Sequence, residues 1–284
     1  MHKMKNRVFW VALMIGLFPG CKKESSEADS PIAFPMAAGV LEEASGIADS
    51  RLNAGMLWVQ EDSGNPPELS LLSHEGQLVK TIPVKGALNT DWEDLALAAG
   101  PDPALRYLYI ADIGDNDQKR DRINILRAPE TAASASEIMV ETFPVKYEDG
   151  AHDAEAIIVE PGSLDIYIIT KRDARSGVYV VKYPYSTTTV NIATKAWELP
   201  YNGVVSAAIQ NDGAAVAVKD YLSIRLYTRL PGEKISAVLA KPFTSLPYQI
   251  EQQGEAICFT NDGKYYFTLS EKQSSAVSLM RYMR

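Results

Sequence analysis

Three carboxylates recur at one place in the chain. Glu93, Glu155 and Glu255 each stand two residues before an aliphatic residue, in Asp91-Trp92-Glu93-Asp94-Leu95, Asp153-Ala154-Glu155-Ala156-Ile157 and Gln253-Gly254-Glu255-Ala256-Ile257. In the first two segments an aspartate comes two residues earlier still, Asp91 and Asp153, and His152 precedes the second. Carboxylates gathered in a partly dehydrated space repel one another, so they take up protons or a cation. A hard divalent ion with about six to eight oxygen ligands suits such a set. Calcium fits better than magnesium, which keeps several waters, and better than zinc, for which His152 alone offers too little nitrogen or sulfur.

A second polar set closes the apolar runs that follow: Asp62, Asp112, Lys171, Lys219 and Glu271. The candidate metal ligands are accordingly Glu93, Asp112, Asp153, Glu155, Glu255 and Glu271. Lys171, Arg172 and Lys219 have two readings, as salt-bridge partners that balance the carboxylates or as holders of an anionic substrate group beside the metal. In a catalytic reading His152 is the general base, and Lys171 or Lys219 steadies the developing negative charge. The loop Asp112-Ile-Gly-Asp-Asn-Asp117 is densely acidic but lacks the EF-hand spacing and its closing glutamate, and it serves equally as a turn. Cys258, within Ala256-Ile-Cys-Phe-Thr260, reads as a small buried hydrophobe. No nucleophile elbow, Cys/His pair, phosphate-binding glycine loop or dinucleotide fingerprint occurs.

An internal repeat must bring these residues together. Five segments align on the aliphatic anchors Ile47, Leu95, Ile157, Ile209 and Ile257, spaced 48, 62, 52 and 48 residues apart, with Ala207 in the carboxylate position of the fourth. Each is followed by a turn signal and a second apolar run: Met56 to Val59, Tyr107 to Ile110, Ile166 to Ile169, Ala214 to Val218 and Tyr265 to Leu269. Third and fourth strands are expected at Glu68 to Ser73 with Gln77 to Val84, and at Ser223 to Tyr227 with Lys234 to Ala240. No convincing helical period occurs in this part of the chain. The pattern predicts an all-β propeller of four-stranded antiparallel blades. Five blades are expected, or six if the wide interval between Leu95 and Ile157 holds another. The final unit, ending at Ser275 to Tyr282, lacks a fourth strand that Ile32 to Val40 can supply. Trp58, Trp92 and Trp197 are expected between blades rather than on a sugar.

The N-terminus has the layout of a secretory signal: Lys3, Lys5 and Arg7, an uncharged run from Val8 to Phe18, then Pro19, Gly20 and Cys21. The run is too short to span a membrane, which takes about 20 residues. Cys21 after a small residue resembles the lipobox of bacterial lipoproteins. It predicts a signal over residues 1–20, a lipidated Cys21 heading a polar tether over 21–31, and one propeller domain over 32–284. The expected location is the cell envelope, on the outer membrane where there are two, because Lys22 rather than aspartate follows the cysteine. Removal of residues 1–20 takes Lys plus Arg from 28 to 25 against 36 Asp plus Glu, and the net charge from −8 to −11. Such a surface disfavours nucleic acid as a partner. The membrane contact is expected through the lipid alone, with a monomeric protein and a small-molecule or envelope ligand.

The Asp-x-Glu-Ala-Ile element, Ala44-Ser45-Gly46-Ile47, Asp91-Trp-Glu-Asp-Leu-Ala96 and Tyr109-Ile-Ala-Asp-Ile-Gly-Asp-Asn116 together resemble bacterial secreted propellers of the phytase-like and SdiA-regulated kind. The resemblance implies a calcium-dependent propeller with its site on one face of the channel, and in some branches phosphoester hydrolysis. Three functions are therefore expected in order: a calcium-holding binding propeller, a metal-dependent hydrolase of phosphoesters, esters or lactones, and a scaffold for envelope proteins.

Overall fold

The computed structural model describes residues 30–271 and 277–284. The expected signal, Cys21 and the tether as far as residue 29 lie outside the described residues. The chain opens with β1 (Ile32–Pro35), and four-stranded antiparallel runs follow. The first contains β2 (Ala44–Asp49), β3 (Met56–Glu61), β4 (Glu68–Ser73) and β5 (Leu78–Lys85). The second contains β6 (Trp92–Ala98), β7 (Tyr107–Asp112), β8 (Ile123–Pro129) and, after the two-residue β9 (Ile138–Met139), β10 (Glu141–Tyr147). The third contains β11 (Ala154–Val159), β12 (Ile166–Thr170), β13 (Gly177–Val181) and β14 (Asn191–Glu198). The fourth contains β15 (Val204–Ile209), β16 (Ala215–Asp220), β17 (Ile224–Thr228) and β18 (Thr244–Leu246). The last contains β19 (Gly254–Phe259), β20 (Tyr265–Ser270) and β21 (Ser278–Met283), and β1 completes it by pairing Ile32 to Pro35 against Arg281 to Ser278.

The innermost strands β2, β6, β11, β15 and β19 pack side by side in a closed ring. They run in the same sense, so their first residues gather at one mouth of an axial channel and their last residues at the other. Between successive runs lie apolar layers, each fed by both neighbours. Trp58 and Trp92 are wholly buried in one such layer with Leu69, Leu108 and Leu126, as expected, whereas Trp197 is half-exposed on β14. Each fully buried aromatic contributes roughly 2–3 kcal/mol, so the layers rather than the channel hold the ring together. Two parallel contacts, β5 with β9 and β10 with β14, stitch outer strands of neighbouring runs together.

The interval between Leu95 and Ile157 holds only β9 as an addition, so its extra length is a bridging loop. A plainer correction concerns Lys234 to Ala240. Ile235–Leu239 forms a one-turn helix, α1, and the outer strand is β18. Ile235, Val238 and Leu239 lie at helical spacing and all three are buried against the layer beneath β12, β13 and β16.

An acidic channel mouth and candidate metal centre

Each innermost strand carries a register shift at the same point. The pairings skip at Ser45, Glu93, Glu155, Val205 and Glu255. A β-bulge leaves one residue outside the ladder and bends the strand. Here it turns the recurring glutamates toward the first-residue mouth. The residues that follow, Gly46, Asp94, Ala156, Ser206 and Ala256, form a belt of small side chains interrupted by one acid. The belt must be small: a Cβ on Gly46 would lie 2.5 Å from Leu95 N. Below it Ile47, Leu95, Ile157, Ala207 and Ile257 line an apolar section of channel. The bulge also corrects the fourth repeat. Its anchor is Ala207 rather than Ile209, and Val205 rather than Ala207 occupies the carboxylate position.

At the mouth, single carboxylate oxygens of Asp62, Asp91 and Glu93 lie within 4.8 Å of one another, and so do those of Glu93, Asp153 and Glu155. Glu93 belongs to both groups. Gly114 makes room for them, since a Cβ there would fall 2.1 Å from Glu93 Oε1 and 2.4 Å from Asp91 Oδ2. Lys171 Nζ forms an ion pair with Glu155 Oε1 and donates to Tyr221 Oη at 3.0 Å. Tyr221 Oη in turn donates to Glu255 Oε1 at 2.5 Å. Arg172 Nε lies 2.6 Å from Asp153 Oδ2, and its guanidinium also donates to Asn116 Oδ1. The other Glu155 oxygen, Oε2, is buried without a hydrogen-bond partner.

The mouth holds more negative charge than its cations offset. Burial alone disfavours ionisation of Glu93, and repulsion from Glu155 and Asp62 adds to it, so its carboxyl sits well above the usual range. Burial, then Asp91 and Glu255, pushes Asp62 up to about 6. Burial and Glu255 push Glu271 to about 8. Lys171 loses some charge preference to burial, but the Glu155 carboxylate outweighs this and holds the ammonium above its ordinary value. Lys171 offsets part of the penalty at Glu155, yet burial, with repulsion from Glu255, still holds that carboxyl well above its ordinary value, so the mouth favours taking up protons or a cation.

The predicted site residues separate into those the channel brings together and those it does not. Glu93, Asp153 and Glu155 converge. Glu255 faces the same mouth through Tyr221 and is linked to Glu271, but neither joins the compact oxygen groups. Asp112 also stands outside these groups and braces the loop beside them. Its Oδ1 accepts from Arg120 at 3.1 Å and from Asp91 N at 3.0 Å, and its Oδ2 from Asn124 at 3.1 Å. His152 has no free nitrogen for a base: Nε2 faces Asp149 Oδ1 at 3.0 Å and Tyr179 Oη at 2.8 Å, and Nδ1 faces Asp173 Oδ2 at 3.1 Å. Lys219 is fully buried, donates to Gly254 O and lies 4.8 Å from the Tyr248 ring centroid. Burial depresses its ammonium to about 8 despite Glu251, Glu255 and Asp220. It is an internal fastening, with no access to a ligand at the mouth.

Asp94 was hidden in plain view beside Glu93. Wholly buried in the belt, it accepts from Ile157 N at 2.9 Å, Ser206 Oγ at 3.0 Å, Leu95 N at 3.1 Å and Ala207 N at 3.4 Å. One side chain thereby caps donors freed by the bulges of three inner strands and separates the polar mouth from the apolar section. The sole hint in the sequence is an acid where other repeats have Gly, Ala or Ser. Tyr221 and Arg120 stand outside the repeated element, so nothing in its spacing points to them.

The closed ring and its channel define the chain as a β-propeller. No protein-family model and no curated protein matches the sequence. Among solved structures, the PQQ-bound aldose sugar dehydrogenase from Streptomyces coelicolor is similar, with TM-score 0.50 and 9% identity over 90% of this chain and 98% of that one. Hydrazine synthase of Kuenenia stuttgartiensis gives TM-score 0.39 and 12% identity over 87% of this chain, which spans 58% of that chain. A nidogen/laminin complex gives 0.45 and 12% over 81% and 73%. At these identities the likeness is one of fold.

Proposed function

We propose that this protein is an envelope-anchored propeller that holds calcium at its acidic mouth and binds an anionic ligand through it. The observation that carries this reading is the pair of carboxylate groups sharing Glu93, with a buried Glu155 oxygen that lacks any hydrogen-bond partner. A buried unpartnered oxygen costs about 1–3 kcal/mol, and more when charged, unless a cation satisfies it. The donor set is oxygen only, which suits a hard ion. Asp62, Asp91, Glu93, Asp153 and Glu155 would hold it, and the ion would supply Lewis acidity and positive charge. Its arrival would compete with Lys171 for Glu155 and with Arg172 for Asp153, releasing both cations toward an incoming anion. This is the sense in which we read the resemblance to phytase-like secreted propellers.

Binding is preferred to hydrolysis because His152 has both nitrogens engaged and Lys219 is sealed away. The anchor rests on the signal layout and Cys21. Calorimetric titration of the mature protein with calcium tests the central claim. Wild type is expected to bind with release of protons, read from the dependence of the heat on buffer ionisation enthalpy, and Glu93→Gln to lose at least tenfold in affinity. Equal near-zero heats for both would remove the metal. Chromogenic phosphoesters and esters, assayed with and without chelator, should show no turnover; chelator-sensitive turnover would restore the hydrolase.

A further inference from the structure

The opposite mouth has the reverse character. The apolar ring of Ile47, Leu95, Ile157, Ala207 and Ile257 lines an inner cavity of about 60 Å³ that also reaches Arg51 and Asn211. An outer recess of about 140 Å³ shares Arg51, Leu97, Val159 and Asn211 with it and adds Arg106. The two spaces adjoin: the aliphatic ring lines the inner one together with Asp49, Thr260 and Asn261, and Arg51 is shared between it and the recess that holds Arg106.

The arginines are not spent on the nearest acids. Glu130 accepts from Ser50 Oγ at 2.6 Å, Arg51 N at 3.0 Å and Trp58 Nε1 at 3.0 Å. Asp49 accepts from His74 Nε2 at 2.8 Å and Asn261 N at 2.6 Å. Glu160, on the outer wall, is buried and engaged by Ser163 Oγ and Ile235 N. Among the described residues the Arg106 guanidinium donates only to the carbonyl of its own neighbour, Leu105. Burial first, and repulsion from Arg106 second, hold the Arg51 guanidinium below its ordinary value, outweighing the through-space attraction of Asp49 and Glu130. In a chain of net charge −8, such a rim stands out from the background field.

We propose that these adjoining spaces bind a small amphipathic anion, a carboxylate on a short apolar chain, with its head between Arg51 and Arg106 and its tail toward the aliphatic ring. A guanidinium pair recognises a carboxylate through charge-assisted, bidentate hydrogen bonds, and the ring removes the tail from water. The site is separate from the acidic mouth, because Asp94 and the belt lie between them.

Calorimetric or ligand-observed NMR titration of the whole protein with hexanoate tests it. A Kd of about 0.1–3 mM is expected at low ionic strength, reasonable for a ligand of this size. Acetate, lacking the tail, and hexan-1-ol and hexylamine, lacking the anion, should each bind at least tenfold more weakly. Arg51→Gln and Arg106→Gln should each weaken hexanoate at least tenfold, and EDTA or calcium should leave its affinity unchanged. Should Arg51→Gln fail to fold, Arg106→Gln at the rim carries the test. Hexanoate affinity unaltered in folded Arg106→Gln, hexan-1-ol or acetate matching hexanoate, or no binding up to about 20 mM would each overturn the proposal.

Discussion

Replacing Asp94 with asparagine should reverse its effect on stability between mildly acidic and mildly alkaline pH. Burial pushes the Asp94 carboxyl up to about 8, although its four donors pull the other way. An acid raised in the folded state from about 3.8 keeps its proton while the unfolded chain loses it. Stability is then fully present below about pH 4 and drains away as pH rises toward 8. Each pH unit in that window costs about 1.4 kcal/mol, so from pH 5 to pH 7.5 wild type loses about 3 kcal/mol through this one group. Asparagine does not titrate. Its oxygen can accept from Ile157 N and Ala207 N, and its NH2 can donate to Ser206 Oγ, but Leu95 N is left without an acceptor, at a cost of about 1–3 kcal/mol. The variant should therefore be less stable than wild type by about 1–2 kcal/mol at pH 5 and more stable by a similar amount at pH 7.5. Urea denaturation of both proteins at the two pH values measures this. A constant difference across the window would show that the donors keep Asp94 ionised throughout and would refute the reasoning.

Calcium should raise the melting temperature of wild type more at pH 8 than at pH 5.5, since Asp62, near 6, is largely proton-occupied at the lower value and ionised at the higher; differential scanning fluorimetry with and without calcium reads this. Gly114→Ala should weaken calcium binding about tenfold while altering stability by no more than about 2 kcal/mol, because its Cβ displaces the movable ends of Glu93 and Asp91 rather than backbone. Lys219→Met should be close to neutral near pH 7. Because burial lowers the Lys219 ammonium to about 8, wild type gains relative to this variant as pH rises from 8 toward 10.5, by about 3 kcal/mol in denaturant titrations. Truncation of residues 30–36 should leave β21 as a bare edge and promote association, visible by light scattering.

The repeat was legible because each unit presents an apolar residue to the channel and three of the five place a glutamate two residues before it, which shows as a recurring spacing. From it came the ring and the meeting of Glu93, Asp153 and Glu155. The fourth unit slipped by two residues because Val205-Ser-Ala-Ala-Ile209 offers several small or apolar residues, and the bulge that fixes the frame is a backbone event with no side-chain signature. Lys234 to Ala240 misled for a related reason: five residues of mixed aliphatics satisfy a strand or a single helical turn, and packing decides. The partners of His152, Asp112 and Lys219 include Tyr179 and Asp173, Asn124, and the Gly254 carbonyl, which come from other strands and loops that no local spacing connects. Asp94 was passed over because alternation suggests that neighbours point apart; the bulge between Trp92 and Asp94 breaks that alternation.

The pairing of β1 with β21 also governs how the molecule is made. Strands separated by nearly the whole polypeptide must meet before the last sheet is complete, and contacts of such long range form slowly. Until synthesis delivers Ser278 to Met283, β1 lacks its partner and the last sheet is incomplete. Completion of this sheet therefore awaits β21, and a product that stops before Ser278 should be open to proteolysis rather than persist as a partly closed ring.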